Sequence, residues 1–243
     1  PNPEIFFINK KLFNELNFSF DKEKDLINEI FSKHNIKKYF AQAYAGHQFG
    51  HFTKLGDGRA LIIGEHLTKN NNRVDVQLKG SGKTQFSRNG DGKATLKSML
   101  LEYLISEAMY YLNIPTSRSL AVIKTDEQIF RENIQDGSIL LRIMKSHIRI
   151  GTFEYASYFG SINDLKSLSS YTINRLYPEI KNEENPTISL LNIVMNQQID
   201  LVLNWMRVGF IHGVMNTDNT SISGETFDYG PCAFINKYNP EQI

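Results

Sequence analysis

The order of apolar and polar positions divides the chain into strand-like and helix-like stretches. Residues 59–65 form a short apolar run, closed by a turn signal at Asn70-Asn71-Asn72. Val74, Val76 and Leu78 then alternate with Asp75, Gln77 and Lys79. That two-residue period predicts a strand with one buried face. Two further β-rich runs occupy residues 119–125 and 138–144. Leu96, Met99, Leu100, Leu104, Ala108 and Leu112 fall near helical spacing, so a helix is predicted over 94–112, stopped by Asn113 and Pro115. Residues 163–176 and 187–208 read as two more helices on either side of a polar link at 181–186. The second carries Leu190, Leu191, Val194, Ile199, Leu201, Val202 and Trp205, and Gly209 stands where a C-terminal cap belongs. Residues 210–234 read as polar loops around a strand. Strands around one helix, then helices, then polar loops predict an α+β fold of two lobes with a cleft between them. The division expected is an N-terminal lobe over 1–144 and the start of a mainly helical lobe over 145–243.

Composition narrows the reading. The chain has 243 residues, 41% hydrophobic and 22% charged, which is ordinary globular usage. Lys and Arg number 27 against 26 Asp and Glu, so a polyanion-coating surface is not indicated and no nucleic-acid partner is expected. One cysteine, Cys232, excludes an intrachain disulfide and a Cys-ligated zinc site, and it fits a reducing compartment. No apolar run approaches the ~20 residues of a membrane span, so no membrane partner is expected. The first eleven residues have no signal-peptide core.

Several motifs compete for the chemistry. Gly80-Ser81-Gly82-Lys83-Thr84 resembles a phosphate loop, but Gln77 stands where its first glycine belongs. Gln85 likewise occupies the third glycine of a dinucleotide fingerprint. Lys79 on a strand and Glu102 on the following helix match the Lys–Glu pair with which kinases hold nucleotide phosphates; alone the signal is weak, and two solvated charges are the better reading. His212-Gly213-Val214-Met215-Asn216-Thr217-Asp218-Asn219, followed by Asp228-Tyr229-Gly230, shifts that balance. It fits the frame His-Gly-Asp-x-x-x-x-Asn then Asp-x-Gly of small-molecule kinases, with Val214 in place of the catalytic Asp. Asn219 and Asp228 offer hard oxygens suited to Mg²⁺. The competing reading is an Asx-rich turn. Gly56, Gly58 and Arg59 precede a strand as either a phosphate-facing loop or a hairpin turn, and Arg142 and Arg149 suit a phosphate or plain surface charge. His47 and His51 are four apart, but Gly46 and Gly50 argue against a helical metal pair.

Collinear blocks then carry a resemblance. They are Tyr44 to Gly50, Leu55 to Ala60, Gln77 to Thr84, Ser87 to Gly92, Ser106 to Ala108, Ile114 to Thr116, Gly151 to Glu154, His212 to Asn219 and Asp228 to Pro231, with Asn2-Pro3-Glu4 as the entry. The sequence is similar to the selenoprotein O family, SelO, whose bacterial members are also called YdiU. The resemblance implies a protein-kinase-like two-lobed fold. It also implies ATP-dependent transfer of AMP to Ser, Thr or Tyr hydroxyls of protein substrates, with the nucleotide inverted relative to kinases. On that pattern Lys79 holds phosphates and pairs with Glu102. Arg142 and Arg149 grip a buried γ-phosphate in a pocket shaped by Asp91 and Gly92, and Gly56, Gly58 and Arg59 line the nucleotide. Asn219 and Asp228 hold Mg²⁺, with Mn²⁺ as the alternative, and Asp218 is the general base. Family members continue beyond the matched region, so the chain is expected to correspond to the front part of a member. Rival readings are a Mn²⁺-dependent protein uridylyltransferase and an inactive nucleotide-binding fragment. Bacterial relatives imply a cytoplasmic location.

Overall fold

Alternation in the strands and 3.6-residue periodicity in the helices sort each side chain to one of two layers, and the sorting places the polar site. The computed structural model describes residues 3–18, 23–48 and 50–237. Asn2 and Phe49 of the matching blocks lie outside them. Along the chain the elements are β1 (Glu4–Ile8), α1 (Lys10–Leu16), α2 (Glu23–Ile30), α3 (Lys33–Ile36), β2 (Ala43–Gln48), β3 (His51–Gly56), β4 (Ala60–Leu67), β5 (Arg73–Lys79), β6 (Ala94–Thr95), α4 (Leu96–Tyr111), β7 (Arg118–Phe130), β8 (Ile134–Met144), α5 (Ile150–Phe159), α6 (Ile162–Leu176), α7 (Pro186–Val208), β9 (Phe210–Ile211) and β10 (Ala233–Phe234). Short 3₁₀ turns lie at Pro178–Ile180 and Thr217–Asn219.

The main sheet is antiparallel, ordered β1-β7-β8-β5-β4, with β6 on β8. Val74, Val76 and Leu78 of β5 and Leu141 and Ile143 of β8 join Leu12, Leu16, Leu26 and Ile30 of α1 and α2 in one core. The intervening residues point to the other face, where Met99 of α4 packs on Val122 and Leu140. Gln77 and Arg142 are direct cross-strand partners there. On α4, Met99, Glu102, Ser106 and Met109 are buried, spaced by three and four residues, so Glu102 faces inward with the apolar stripe. A second core forms where Ile148 and Ile222 meet Ile173 of α6 and Leu190 and Val194 of α7. A third joins Met109 and Ile114 to Leu201, Trp205, Phe210 and Tyr229. The chain is thus α+β.

The predicted helices at 94–112, 163–176 and 187–208 match α4, α6 and α7 within two residues, and Gly209 closes α7 at φ 66°. Strand 59–65 matches β4 (Ala60–Leu67), and the runs at 119–125 and 138–144 extend into the longer β7 and β8. Three features stand beyond the sequence reading: the β1–α3 entry, the β2–β3 hairpin and α5. Residues 83–93 contain no helix, so the strand–loop–helix of a phosphate loop is absent after Gly80.

Candidate functional site

Four charged side chains meet between the sheet, α4 and the segment after the 3₁₀ turn. Lys79 Nζ lies 2.6 Å from Glu102 Oε2 and 2.5 Å from Asp228 Oδ1. Arg142 Nη2 donates to Glu102 Oε1 and, at 2.7 Å, to Asp228 Oδ1. Its Nη1 donates to Gln77 Oε1 at 3.2 Å. Lys79, Glu102 and Arg142 are all buried. Burial pushes both carboxyls up, but the neighbouring cations outweigh it, so Glu102 titrates below its ordinary value and Asp228 well below. Burial, reinforced by Arg142, pulls Lys79 down. Asp228 itself has φ 62°, a left-handed conformation uncommon for a residue with a Cβ.

Arg149 extends the cluster at the N-cap of α5. Its Nη2 is 3.2 Å from Asp57 Oδ1 and 4.0 Å from Asp228 Oδ2. Tyr44 of β2 lies on its guanidinium, 3.9 Å from the ring centroid. Asp57 is fixed in turn by the Gln42 N–H at 3.1 Å. Arg149 Nε and Nη1 and Arg142 Nε are buried without a hydrogen-bond partner among the described residues. Buried donors are normally satisfied, and both of these arginines also border the cavity that the cluster faces.

These residues border a cavity of about 520 Å³. Its walls carry Arg59, Lys79, Lys93, Arg131, Arg142 and Arg149 against Asp57, Asp91 and Asp228, six cations to three carboxylates. The excess suits a polyanion. Gly58, Gly92, Val214 and Asn219 also line it. Asp91 is gripped by both Arg131 Nη atoms at 2.8 and 2.9 Å and is held at about 2, chiefly by that hydrogen bonding. Gly92 has φ 70°, and a Cβ there would fall 2.1 Å from the Gly82 carbonyl oxygen, so the loop closes only with glycine. Gly56 lies elsewhere: it borders an adjoining cavity of about 480 Å³ with Phe86 on its Cα, so its small size serves packing by an aromatic ring. Tyr44 borders both cavities.

Asp218 opens on that adjoining cavity. It sits in the Thr217–Asn219 turn, which Asn216 caps through Thr217 N at 2.8 Å. Thr217 Oγ1 donates to Glu154 of α5 at 2.6 Å, and Asn216 Nδ2 donates to the His47 carbonyl of β2. His212 Nε2 meets the Phe227 carbonyl at 2.8 Å, tying this loop to the segment that carries Asp228. A Cβ at Gly46 would fall 2.7 Å from Asp218 Oδ1. Glycine is thus required for the carboxylate to lie against β2. Burial raises the Asp218 pKa above the ordinary carboxylate value.

The donor set fits a hard divalent cation. Asn219 Nδ2 donates to the Val214 carbonyl at 3.0 Å, which leaves Asn219 Oδ1 as an acceptor on the cavity wall shared with Asp228. Asp228 Oδ1 is engaged by Lys79 and Arg142, and Oδ2 is the freer oxygen. No cluster of three His, Cys, Asp or Glu with metal-ligand geometry occurs among the described residues, so the other ligands of such a cation would be phosphate oxygens and water.

Of the residues singled out from the sequence, the structure brings Gly58, Arg59, Lys79, Asp91, Gly92, Arg142, Arg149, Asn219 and Asp228 to one cavity, with Glu102 behind it. Gly56 and Asp218 line the adjoining one. Tyr44, Asp57, Gln77 and Gly46 carry no role on sequence reasoning alone. All four belong to matched blocks, and Gln77 also lies on the polar face of an alternating strand; those are the available signals.

The sequence profile of the family described as "Protein adenylyltransferase SelO" matches residues 1–243. The "Protein nucleotidyltransferase YdiU" of Pelagibacter ubique is 57% identical over 245 residues, covering 99% of this chain and 51% of the relative. The protein of the same name from Bacillus mycoides is 56% identical over 242 residues, covering 98% and 50%. The chain therefore spans about half the length of these curated relatives. Among solved structures, ROP2 of Toxoplasma gondii, described as a virulence factor with a protein-kinase fold and no enzymatic activity, is 11% identical. It covers 93% of this chain and 64% of its own, at a TM-score of 0.34, a likeness too loose to carry an argument. The profile match over the whole chain and the identity to two YdiU proteins show that this chain belongs to the SelO family.

Proposed function

We propose that this chain holds the nucleotide-binding and catalytic groups of a protein adenylyltransferase. The observation that carries the reading is the cavity whose walls bring Arg59, Lys79, Lys93, Arg131, Arg142 and Arg149 against only three carboxylates. The triphosphate of ATP occupies that cavity, its terminal phosphate against the two arginines and Lys79 on the phosphates nearer Asp228. Glu102 keeps Lys79 and Arg142 in place from behind. Asn219 and Asp228 would hold Mg²⁺, which would supply charge neutralisation at the phosphates. With the terminal phosphate at the arginines, the α-phosphorus faces the side where Asp218 lies. An acceptor hydroxyl oxygen then bonds to the α-phosphorus and the bridging bond to the β-phosphate breaks. Pyrophosphate leaves, and the hydroxyl proton passes to Asp218. The products are an AMP–protein ester and pyrophosphate. Val214, at the kinase base position, supplies no proton acceptor.

The acceptors proposed are Ser, Thr and Tyr hydroxyls of proteins. The site groups named here meet phosphate and metal, not the base, so ATP and UTP with Mg²⁺ or Mn²⁺ are compared directly. The test is incubation with a protein acceptor and ATP labelled at the α- or the γ-phosphate, beside Asp228→Ala. Retained α-label that the substitution abolishes, with no retained γ-label, is the expected result. Retained γ-label would establish phosphoryl transfer instead. Saturable ATP binding with neither label retained would favour a binding role.

A further inference from the structure

The hairpin of β2 and β3 is a two-stranded sheet of its own, outside the main sheet. It nevertheless packs directly on the candidate base. A Cβ at Gly46 would fall 2.7 Å from Asp218 Oδ1. One at Gly151 of α5 would fall 2.2 Å from the Ala45 carbonyl oxygen and 3.2 Å from Asp218 Cα. β2, the start of α5 and the Thr217–Asn219 turn thus close on one another with no room for a methyl group. Asp218 Oδ1 is buried in this contact without a hydrogen-bond partner among the described residues. The carboxylate is therefore placed by what packs on it, and β2 supplies one wall.

One side chain ties that wall to the turn. Asn216 Oδ1 accepts from Thr217 N at 2.8 Å and so caps the turn, while Nδ2 donates to the His47 carbonyl of β2. The His47 N–H also faces Oδ1, with nitrogen and oxygen 3.5 Å apart. Among the described residues these are the only hydrogen bonds that join the hairpin's backbone to another element. His47 directly follows Gly46, so the tie lies one residue from the contact with Asp218. Ser and Asp cap such a turn as well as Asn, but neither presents an amide NH₂ beside the capping oxygen. We propose that Asn216 is a positioning residue for the transfer: its amide clamps the hairpin to the turn and so holds the Asp218 carboxylate in place against Gly46. The positioning role rests on the reading of Asp218 as the base; the clamp itself does not.

Asn216→Ser and Asn216→Asp separate the clamp from the cap, since each keeps an oxygen for the Thr217 N–H and loses Nδ2. Amide hydrogen exchange of the folded chain reads the clamp without any turnover. Residues 43–48 should exchange at least about tenfold faster in both variants, while each still melts cooperatively. Label transfer from α-labelled ATP reads the role. Both variants should lose about 10- to 100-fold in kcat, since a misplacement of about 1 Å can cost ~10²-fold. The KM for ATP should not change. In an Asp218→Asn background the same substitutions should cost nothing further, because Asn216 acts through that carboxylate. A general loosening of the fold would add its cost in either background. Wild-type exchange over 43–48 in both variants would overturn the clamp. Wild-type kcat in both, with Asp218→Asn inactive, would overturn the positioning role alone. Full transfer by Asp218→Asn would instead overturn the assignment of the base, and the positioning role with it.

Discussion

Replacing Arg149 by Lys separates charge from fork geometry at the centre of the candidate site. Arg149 keeps Nη2 on Asp57 at 3.2 Å and leaves Nε and Nη1 free of partners. Lysine preserves the positive charge but presents one nitrogen, which cannot hold Asp57 and also direct separate N–H groups at an anion as the planar guanidinium does. If Arg149 donates to the terminal phosphate as well as to Asp57, the substitution removes about one charge-assisted hydrogen bond. That is worth roughly 1.5–3 kcal/mol, or about a 10- to 150-fold loss of affinity for ATP. AMP lacks the terminal phosphates and should bind both proteins with similar affinity. Titration calorimetry with ATP, ADP and AMP, with Mg²⁺ present, reads the difference. Thermal melts without nucleotide confirm that the variant is folded. Unchanged ATP affinity, or equal weakening of ATP and AMP, would refute the assignment of Arg149 to the terminal phosphate.

Other substitutions probe the neighbouring parts. Glu102→Gln leaves the buried cations Lys79 and Arg142 short of a counter-charge and should cost about 3–5 kcal/mol, read as a lower urea midpoint with unchanged slope. Asp218→Asn should cut label transfer ~10²–10⁴-fold, the usual worth of a positioned base, while calorimetry shows ATP binding intact. Gly46→Ala drives a Cβ to 2.7 Å from Asp218 Oδ1 and should reduce transfer likewise without weakening ATP binding. Glu225 is buried, its Oε2 accepts from Lys145 N–H at 2.9 Å and Ser223 Oγ at 2.8 Å, and burial raises it to about 7. The folded state therefore holds a proton that the unfolded state releases between its ordinary carboxylate value and 7, so this group favours folding at low pH and loses that contribution as pH rises to 7. Glu225→Gln keeps one oxygen for both donors. It should raise stability at pH 8 relative to wild type by a few kcal/mol, because each pH unit separating the folded and unfolded titrations is worth about 1.4 kcal/mol. At pH 5 it should change little. Melts of both proteins across that range would show parallel curves if the carboxyl titrates normally.

The sequence exposed those parts of the fold whose periodicity is set by a single buried face. β5 shows its alternation because Val74, Val76 and Leu78 enter one core while Asp75, Gln77 and Lys79 face the other side. α4 and α7 announce themselves by aliphatic spacing and end signals. The β2–β3 hairpin escaped because its residues are selected for contacts with the 216–218 loop and Arg149, not for a hydrophobic face. Helix α5 escaped because Ile150, Phe153, Tyr155, Ala156, Tyr158 and Phe159 cover it on most sides and blur any period. Lys79, Glu102, Asn219 and Asp228 were legible as a spacing pattern. The roles of Tyr44 and Asp57 needed three dimensions, since each acts through Arg149, about a hundred residues away in sequence. Helix α7 shows the limit of periodicity: Leu191 and Ile199 stand among the apolar positions that predict the helix, yet both lie exposed.

A crystal structure with Mg²⁺ and an ATP analogue that resists cleavage at the α-phosphate would reveal the nucleotide's orientation. The terminal phosphate is expected within hydrogen-bonding distance of Arg142 and Arg149, and the α-phosphate on the Asp218 side of the metal held by Asn219 and Asp228. A purine ring against the two arginines, with the terminal phosphate toward Asp218, would contradict that arrangement and restore the kinase orientation.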